Sequence, residues 1–435
     1  MFKYIQNFFK NPTVFTPYNQ FGRTINAEIS KDELVLFNDS LAYFEKKNVL
    51  KAYECYLNSL INFNGSSSNE NVVIELKGDT LEFTLSQGIA LIKGKISKDK
   101  FFATCLISKN INVAIKRDLL EKNYQLTYAK FFMSESEVGL KIELDNSTMT
   151  PQKIFFPLRE IALNSEYEKE FIRSEFEEIE VLECDHIHSL SDENKKIKFE
   201  FYARWIDEAR ESIKHLPSND NIGISTFTYL SLLMKIDYLI APHLKIGREI
   251  AKEMIEYFGS NESTIENKNA VLLRCIDKLE AREYKEFSAS IYNIKTTFNA
   301  MDIATKEEID NFIDDSLTKA KWYKNNRYLN AIEIIYNYIA LYVLYNYGMR
   351  PSMQKLFHIV VQVHNSEYFE KLGYVKLYEN EEFNTKEIAK LIEEAVLLDS
   401  LSFKDLFFDE EALVYDTLGE FTYSFYQQIK LLSYE

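Results

Sequence analysis

Glycine and proline are scarce in this chain of 435 residues, which contains 12 glycines and 7 prolines. Because both residues interrupt regular backbone structure, their scarcity favours long helices and strands joined by short loops. The hydrophobic share of 46% excludes a natively disordered chain. The length allows two or three domains, each with its own core.

Cysteine is equally sparse, and no CxxC pair occurs among Cys55, Cys105, Cys184 and Cys275. A disulfide framework or a zinc ribbon needs clustered cysteines, so we expect reduced thiols in a cytoplasmic protein. One short stretch, Cys184-Asp185-His186-Ile187-His188, does contain metal-ligand side chains, and residues 184, 186 and 188 would share one face of a strand. No second ligand motif accompanies it, so solvated histidines are the favoured interpretation and no metal or cofactor is predicted.

Positive charge is in deficit, with 51 lysines and arginines against 67 acidic residues and a net charge of −16. No run of five basic residues occurs, and the overall field repels phosphate, so nucleic acid is not an expected partner. An acidic surface suits a cytoplasmic protein that meets basic segments of a protein partner.

Long hydrophobic runs are missing as well. The most apolar window, residues 332–345, is shorter than the roughly 20 residues of a membrane span and contains Glu333 and Asn337, so it predicts a buried helix. Residues 1–30 form an irregular lead-in that begins with Phe2, Ile5 and Phe9 at helical spacing. We expect a short helix that packs on its own domain, with a membrane-surface or partner-docking helix as the alternative.

Motifs of known active sites do not occur in the sequence: there is no GxGxxG, no GxxxxGK[ST] and no GxSxG. The histidines of the second half, His215, His243, His358 and His364, stand alone in the sequence. Each is expected to be a capping or core residue, because a general base needs a positioned partner. An active site assembled from scattered residues, in the second half or where the domains meet, remains the alternative to a protein without catalysis.

What the sequence does contain is a strand-rich first third. Apolar and polar residues alternate over residues 72–77, 80–85, 90–96, 100–108, 124–133 and 137–146, whereas helical spacing marks residues 31–63, 111–123 and 151–176. Strands with one apolar face, interleaved with helices, predict an antiparallel sheet covered by helices on one side only. We therefore predict an α+β domain over residues 31–178.

Residues 179–197 are predicted to be a linker, and residues 198–435 an all-helical domain without strand pairs. Ten helical runs are expected there, among them residues 283–300 and 409–432. Thr305 and Glu308 match a capping box, in which hydroxyl and carboxylate each satisfy a free backbone N–H at the start of a helix.

The order helix, strands, helix, hairpin, helix resembles the fold of type III secretion chaperones and of the related YbjN family. The resemblance lies in KAYECYLNSLINF before VVIELKGDTLEFTLSQGIALIKGKI, then INVAIKRDLLEKN, then the hairpin YQLTYAKFFMSESEVGLKIEL. It covers about a third of the chain and matches no position-specific motif. It implies a small, acidic, non-enzymatic module that often dimerises and can hold an extended segment of another protein.

These patterns together predict a protein-binding or chaperone-like adaptor, with a protein partner or peptide segment, a possible homodimer and no strong affinity for membrane surfaces. Tyrosine is a frequent contact residue at interfaces. The tyrosine-rich run 327–348 is expected to be mainly core, with a groove or dimer contact as the alternative. On that alternative, the candidate partner-binding residues are Tyr336, Tyr342, Tyr345, Phe2 and Phe9.

Overall fold

The structure, a computed structural model, describes residues 19–22, 31–61, 71–109, 111–134, 136–176, 178–214, 222–259, 263–298 and 303–434. The candidate residues Phe2 and Phe9, the rest of the predicted N-terminal helix and His215 lie outside these ranges. Within them, the predicted fold class is confirmed: an antiparallel sheet with helices is followed by a mainly helical half.

The sheet has six strands, all paired antiparallel in the order β1-β2-β3-β4-β6-β5. The strands are β1 (Val72–Lys77), β2 (Thr80–Gln87), β3 (Ala90–Ile96), β4 (Lys100–Lys109), β5 (Lys130–Met133) and β6 (Glu137–Asp145). The predicted turn at Gly78-Asp79 joins β1 to β2, and Gly78 has a positive φ of 57°, as a tight hairpin turn requires.

One face of the sheet is apolar and buried. Alternate residues of β2, β3 and β4 form its core, including Phe83, Ile92 and Phe101. The helices of this half are α1 (Lys31–Glu45), α2 (Val49–Ser59), α3 (Val113–Lys122) and α4 (Pro151–Glu175). Helix α4 packs along β2, β3, β4 and β6, and α2 covers β1 and β2. The opposite face exposes Lys93, Lys95, Phe102 and Lys141, as a sheet covered on one side must.

The second half contains the helices α5 (Asp192–Lys214), α6 (Ile222–Lys235), α7 (Leu244–Gly259), α8 (Ile265–Glu280), α9 (Tyr284–Ala289), α10 (Lys306–Asn325), α11 (Leu329–Asn346), α12 (Pro351–His364), α13 (Ser366–Lys371), α14 (Thr385–Ser400) and α15 (Leu418–Leu431). The capping box predicted at Thr305 and Glu308 is present at the start of α10. Helix α11 is central to the core, as expected of the apolar window, and Asn337 is buried within it.

Two predictions for this half are wrong in detail. Residues 283–300 do not form one helix: α9 ends at Ala289, and β8 (Tyr292–Asn293) pairs with β7 (His188–Ser189). Residues 409–432 contain a single 3-10 turn, Glu410–Ala412, and become α-helical only from Leu418, where the Thr417 side chain accepts the Glu420 N–H and starts α15. A second short pair joins β9 (Tyr378–Glu379) to β10 (Glu382–Phe383). In the first case the extended backbone is held by a distant segment, which local periodicity does not reveal.

The segment 292–298 connects the two halves. Gly88 donates its N–H to the Lys295 carbonyl at 2.9 Å, and Gln87 Oε1 accepts from the N–H groups of Thr297 (3.1 Å) and Phe298 (2.8 Å). Near the end of α4, Arg248 Nη1 donates to Ser174 Oγ at 2.6 Å. The sheet half and the helical half therefore pack against each other through backbone and buried polar contacts.

Candidate functional site

The outer edge of β1 is the most site-like feature of the sheet. In a two-residue hairpin the residues beside the turn form a hydrogen-bonded pair, and bonded pairs then alternate along the ladder. Lys77 pairs with Thr80 beside the turn, so the bonded pairs fall at every second residue of β1 before Lys77. Asn71, six residues before Lys77, accepts the Ser86 N–H at 2.8 Å and fits this alternation. The backbone N–H and C=O groups of Ile74 and Leu76 therefore point away from β2.

Nothing in the described ranges pairs with these outward backbone groups. The side chain of Leu76 is 66% exposed although it lies on the apolar side of the sheet, and Val73 on the other side is 50% exposed. Helix α2 packs against β1, and Val72 at the start of the strand is buried whereas Leu76 near its end is not. The β1 edge thus offers both unpaired backbone groups and uncovered apolar side chains to an added strand.

The opposite edge, at β5, is closed as far as Phe131. The Ser134 N–H donates inward to the carbonyl of Glu137 on the neighbouring strand. Because inward and outward N–H groups alternate along a strand, the outward ones lie at residues 129, 131 and 133. Asn123 Oδ1 accepts the Phe131 N–H at 2.7 Å. The Glu160 carboxylate accepts three consecutive N–H groups, of Thr127, Tyr128 and Ala129, at 2.7–2.8 Å. Two side chains from helices therefore satisfy donors that an added strand would use.

Charge also separates β5 from β1. Lys130 lies directly opposite Lys141 on the open face of the sheet, and like charges in this position repel each other. The two lysines border a shallow depression with a volume of about 690 Å³, which is also lined by Lys100 and Tyr128. Lysine on an edge strand discourages pairing with another chain. On β1, by contrast, Lys77 forms ion pairs with Glu75 and Glu82.

The three candidate tyrosines of α11 are half-buried and pack against the larger core. Tyr342 stacks on Phe312 with ring centroids 4.0 Å apart and meets the Phe258 ring edge-on. Burial raises the pKa of Tyr342 to about 12. The carbonyl of Tyr336 accepts the Tyr426 hydroxyl at 2.6 Å. The structure does not bring these side chains together with the β1 edge, and their role in partner binding stays a prediction.

The histidines considered as candidate bases have internal partners. His358 Nδ1 lies 2.8 Å from the Tyr238 hydroxyl, and burial holds its pKa well below the ordinary value. His364 Nε2 lies 2.8 Å from Thr422 Oγ1, and burial lowers its pKa to about 3. His243 stacks on Tyr292, with Nε2 3.0 Å from the Tyr292 carbonyl and Nδ1 3.6 Å from Glu170. These contacts are those of core residues held neutral or packed at the junction of the halves.

The stretch 184–188 also meets the sheet half. His186 Nε2 lies 3.1 Å from the Gly88 carbonyl, and His188 belongs to β7. Over the ranges that the structure describes, no three side chains of the metal-ligand types converge on one point. In the same ranges no helix combines the length and the apolar character needed to cross a bilayer.

One buried charged residue was not predicted. Lys198 on α5 is fully buried, and its Nζ donates to the carbonyls of Leu239 (3.0 Å) and Ile240 (2.9 Å). Burial lowers its pKa to about 7. The two carbonyls belong to a π-helical turn, Ile236–Ile240, which ends in the left-handed residue Ala241. Lys198 thereby satisfies acceptors that a widened helix end leaves without partners.

Comparison with known proteins gives no further assignment: no protein-family model and no curated protein matches this sequence. The candidate site therefore rests on the geometry of the β1 edge. Its strand and its apolar alternation were predicted from the sequence, but its position at the edge of the sheet and the closure of the other edge were not. Asn123 and Glu160 are a helix-end residue and a mid-helix acid whose local sequence gives no sign of their backbone partners.

Proposed function

We propose that this chain is a non-enzymatic protein-binding adaptor that takes up an extended segment of a protein partner by strand addition at β1. The carrying observation is the contrast between the edges: the outward backbone groups of β1 have no partner in the described ranges, whereas at the other edge Glu160 and Asn123 accept the outward N–H groups of Ala129 and Phe131. Strand addition draws affinity from main-chain hydrogen bonds and specificity from alternate side chains.

The side chains beside the edge define the chemistry of the segment. A strand added to β1 would place alternate residues next to Ile74 and Leu76, where an apolar residue extends the layer under α2. The residues between them would lie beside Val73 and Glu75 on the open face, where a β-branched or a basic residue fits. The proposed partner segment therefore alternates apolar residues with β-branched or basic ones, which agrees with the acidic balance of the chain.

The resemblance to type III secretion chaperones supports a holding role, because such modules can hold extended segments of other proteins. The negative charge and the scattered cysteines support a cytoplasmic location. A homodimer would follow from the same edge if two copies of β1 paired with each other.

The test uses short random peptides displayed on phage and selected against the full chain. Binding of the selected peptides is then measured for Leu76→Pro and for Met133→Pro. Each substitution removes an outward N–H from an edge strand, and both side chains are exposed (66% and 42%), so the two variants are matched. We expect Leu76→Pro to weaken binding at least tenfold, about 1.4 kcal/mol, and Met133→Pro to leave it unchanged.

A third variant separates the backbone from the side chain. Leu76→Thr keeps the N–H and a β-branched side chain, so it should retain most of the affinity that Leu76→Pro loses. Selected peptides that bind all variants equally, or a selection that yields no binder, would contradict strand addition at β1.

A further inference from the structure

A short segment near the start of the sequence occupies a pocket in the helical half. Residues Asn19–Gly22 lie against the π-helical turn and the segment after β8. Gly22 donates its N–H to the Tyr238 carbonyl at 2.7 Å, and Gln20 Oε1 accepts the Ile294 N–H at 2.9 Å. Between these two anchors, the ring of Phe21 enters the helical half.

The pocket that receives Phe21 is aromatic. The ring centroid of Phe21 lies 5.0 Å from that of Phe369, 5.2 Å from that of His358 and 5.9 Å from that of Tyr374. Tilted and edge-on arrangements at such distances are favourable aromatic contacts. Lys198 Nζ lies 5.9 Å from the centroid of Phe21. We refer to the site formed by Lys198, His358, Phe369 and Tyr374 as the Phe21 pocket.

Two wall residues of the Phe21 pocket are positioned by hydrogen bonds to the π-helical turn and not by Phe21. His358 is fixed by the Tyr238 hydroxyl, and Lys198 by the carbonyls of Leu239 and Ile240. The Tyr368 hydroxyl donates to the same Leu239 carbonyl at 2.8 Å. Because these bonds do not involve the occupant, the pocket is preorganised, and a preorganised site binds a ligand with little ordering cost.

The occupant, by contrast, fits imperfectly. Asn19 is only 8% exposed, yet among the described residues neither its amide nitrogen nor its amide oxygen has a hydrogen-bond partner. Burying polar groups without hydrogen-bond partners is unfavourable, because the water they lose is not replaced. A segment with a small apolar residue in place of Asn19 would avoid this cost while keeping every other contact.

We propose that the Phe21 pocket is a docking site for a partner segment in which an aromatic residue is followed by glycine, and that residues 19–22 of this chain occupy it as a displaceable internal ligand. The glycine is required because Gly22 is buried with a positive φ of 66°, which other residues rarely adopt. A residue with a side-chain acceptor before the aromatic takes the Ile294 N–H. This site is independent of strand addition at β1.

The experiment uses a fluorescent peptide of this chain's residues 16–25 as the probe. It is titrated against the wild-type protein and against Phe21→Ala, in which the internal ligand loses its aromatic anchor, and binding is followed by fluorescence anisotropy. We expect at least tenfold tighter binding to Phe21→Ala than to the wild type, because the wild-type pocket is already filled. A peptide with alanine in place of Phe21 should not bind, and one with alanine in place of Asn19 should bind more tightly than the parent peptide.

Two further variants keep the test decisive. Gly22→Val displaces the segment by backbone strain and leaves the identity of Phe21 unchanged. This variant must also gain peptide binding if Phe21→Ala does not fold. Tyr374→Ala, added to either variant, removes one wall and must reduce binding.

Equal binding to the wild type and the displaced variants, or no binding to a folded displaced variant, would overturn the proposal. A wild-type dimer that forms at high concentration and is lost in Phe21→Ala would also overturn it, since the occupant would then be a second copy.

Discussion

The two edge strands of the sheet present the same kind of outward backbone groups, but they differ in whether side chains from other elements accept the outward N–H groups. At the β5 edge, Asn123 at the end of α3 and Glu160 on α4 accept the outward N–H groups of Phe131 and Ala129. At β1, no described side chain does so, and Leu76 on the apolar side and Val73 on the open face are both exposed. An edge is therefore open or closed because of residues elsewhere in the chain, and the strand's own alternation does not decide it.

Among the variants that test the difference between the two edges, removing the Glu160 carboxylate should lower the free energy of unfolding most. Glu160→Ala leaves the N–H groups of Thr127, Tyr128 and Ala129 without their acceptor, and hydrogen bonds to a charged group each contribute about 1.5–3 kcal/mol. Because the edge is partly open to water, which replaces part of the loss, we expect about 3 kcal/mol less free energy of unfolding, measured by urea denaturation. Gln152→Ala, an exposed change on the same helix, is the control and should shift stability by less than about 0.5 kcal/mol.

The same variant tests whether closure keeps β5 from binding. With Glu160 removed, peptides selected on the wild type should begin to bind at both edges, and Leu76→Pro should then weaken their binding less than tenfold. A Glu160→Ala protein as stable as the wild type would show that the three hydrogen bonds do not close the edge.

Asn123 should have a smaller effect of the same kind. Asn123→Ala removes the acceptor of a single N–H, that of Phe131, and the site is partly accessible to water. We expect a loss of about 1 kcal/mol in the same denaturation experiment. Asn123→Asp keeps an acceptor at the same position and should restore the stability, whereas equal losses in both variants would point to disruption of the end of α3.

The sheet could be predicted from sequence because its physical cause is local. Alternation with period two, such as Leu81, Phe83 and Leu85 on β2, places apolar residues on one face whatever the rest of the chain does. The capping box of α10 was predictable for the same reason, since both of its residues lie within one turn. In each case the interacting groups are neighbours in the sequence.

The features that define the candidate site are not local. Glu160 meets residues 127–129 across more than 30 positions, and Phe21 meets His358 across more than 330. The predicted helix over residues 283–300 was wrong for the same reason, because Gly88 and the pair His188–Ser189 hold part of it extended. Lys198 gave no sequence signal either, since a lysine on an amphipathic helix ordinarily faces solvent. One sequence predicts which residues alternate but not which distant partner reaches them.

Hydrogen exchange sharpens the comparison without any substitution and with no change in stability. In the unbound protein the amide protons of Ile74 and Leu76 should exchange fast, while those of Val73 and Glu75, bonded to β2, should be protected. The outward amide of Phe131 should be slow although it also lies on an edge strand, because Asn123 accepts it. An alternation on β1 that disappears when a selected peptide is added would place the peptide on that edge. Protection of Leu76 in the unbound chain would mean instead that another part of the protein, or a second copy, already covers β1, and strand addition by a partner would then require its displacement.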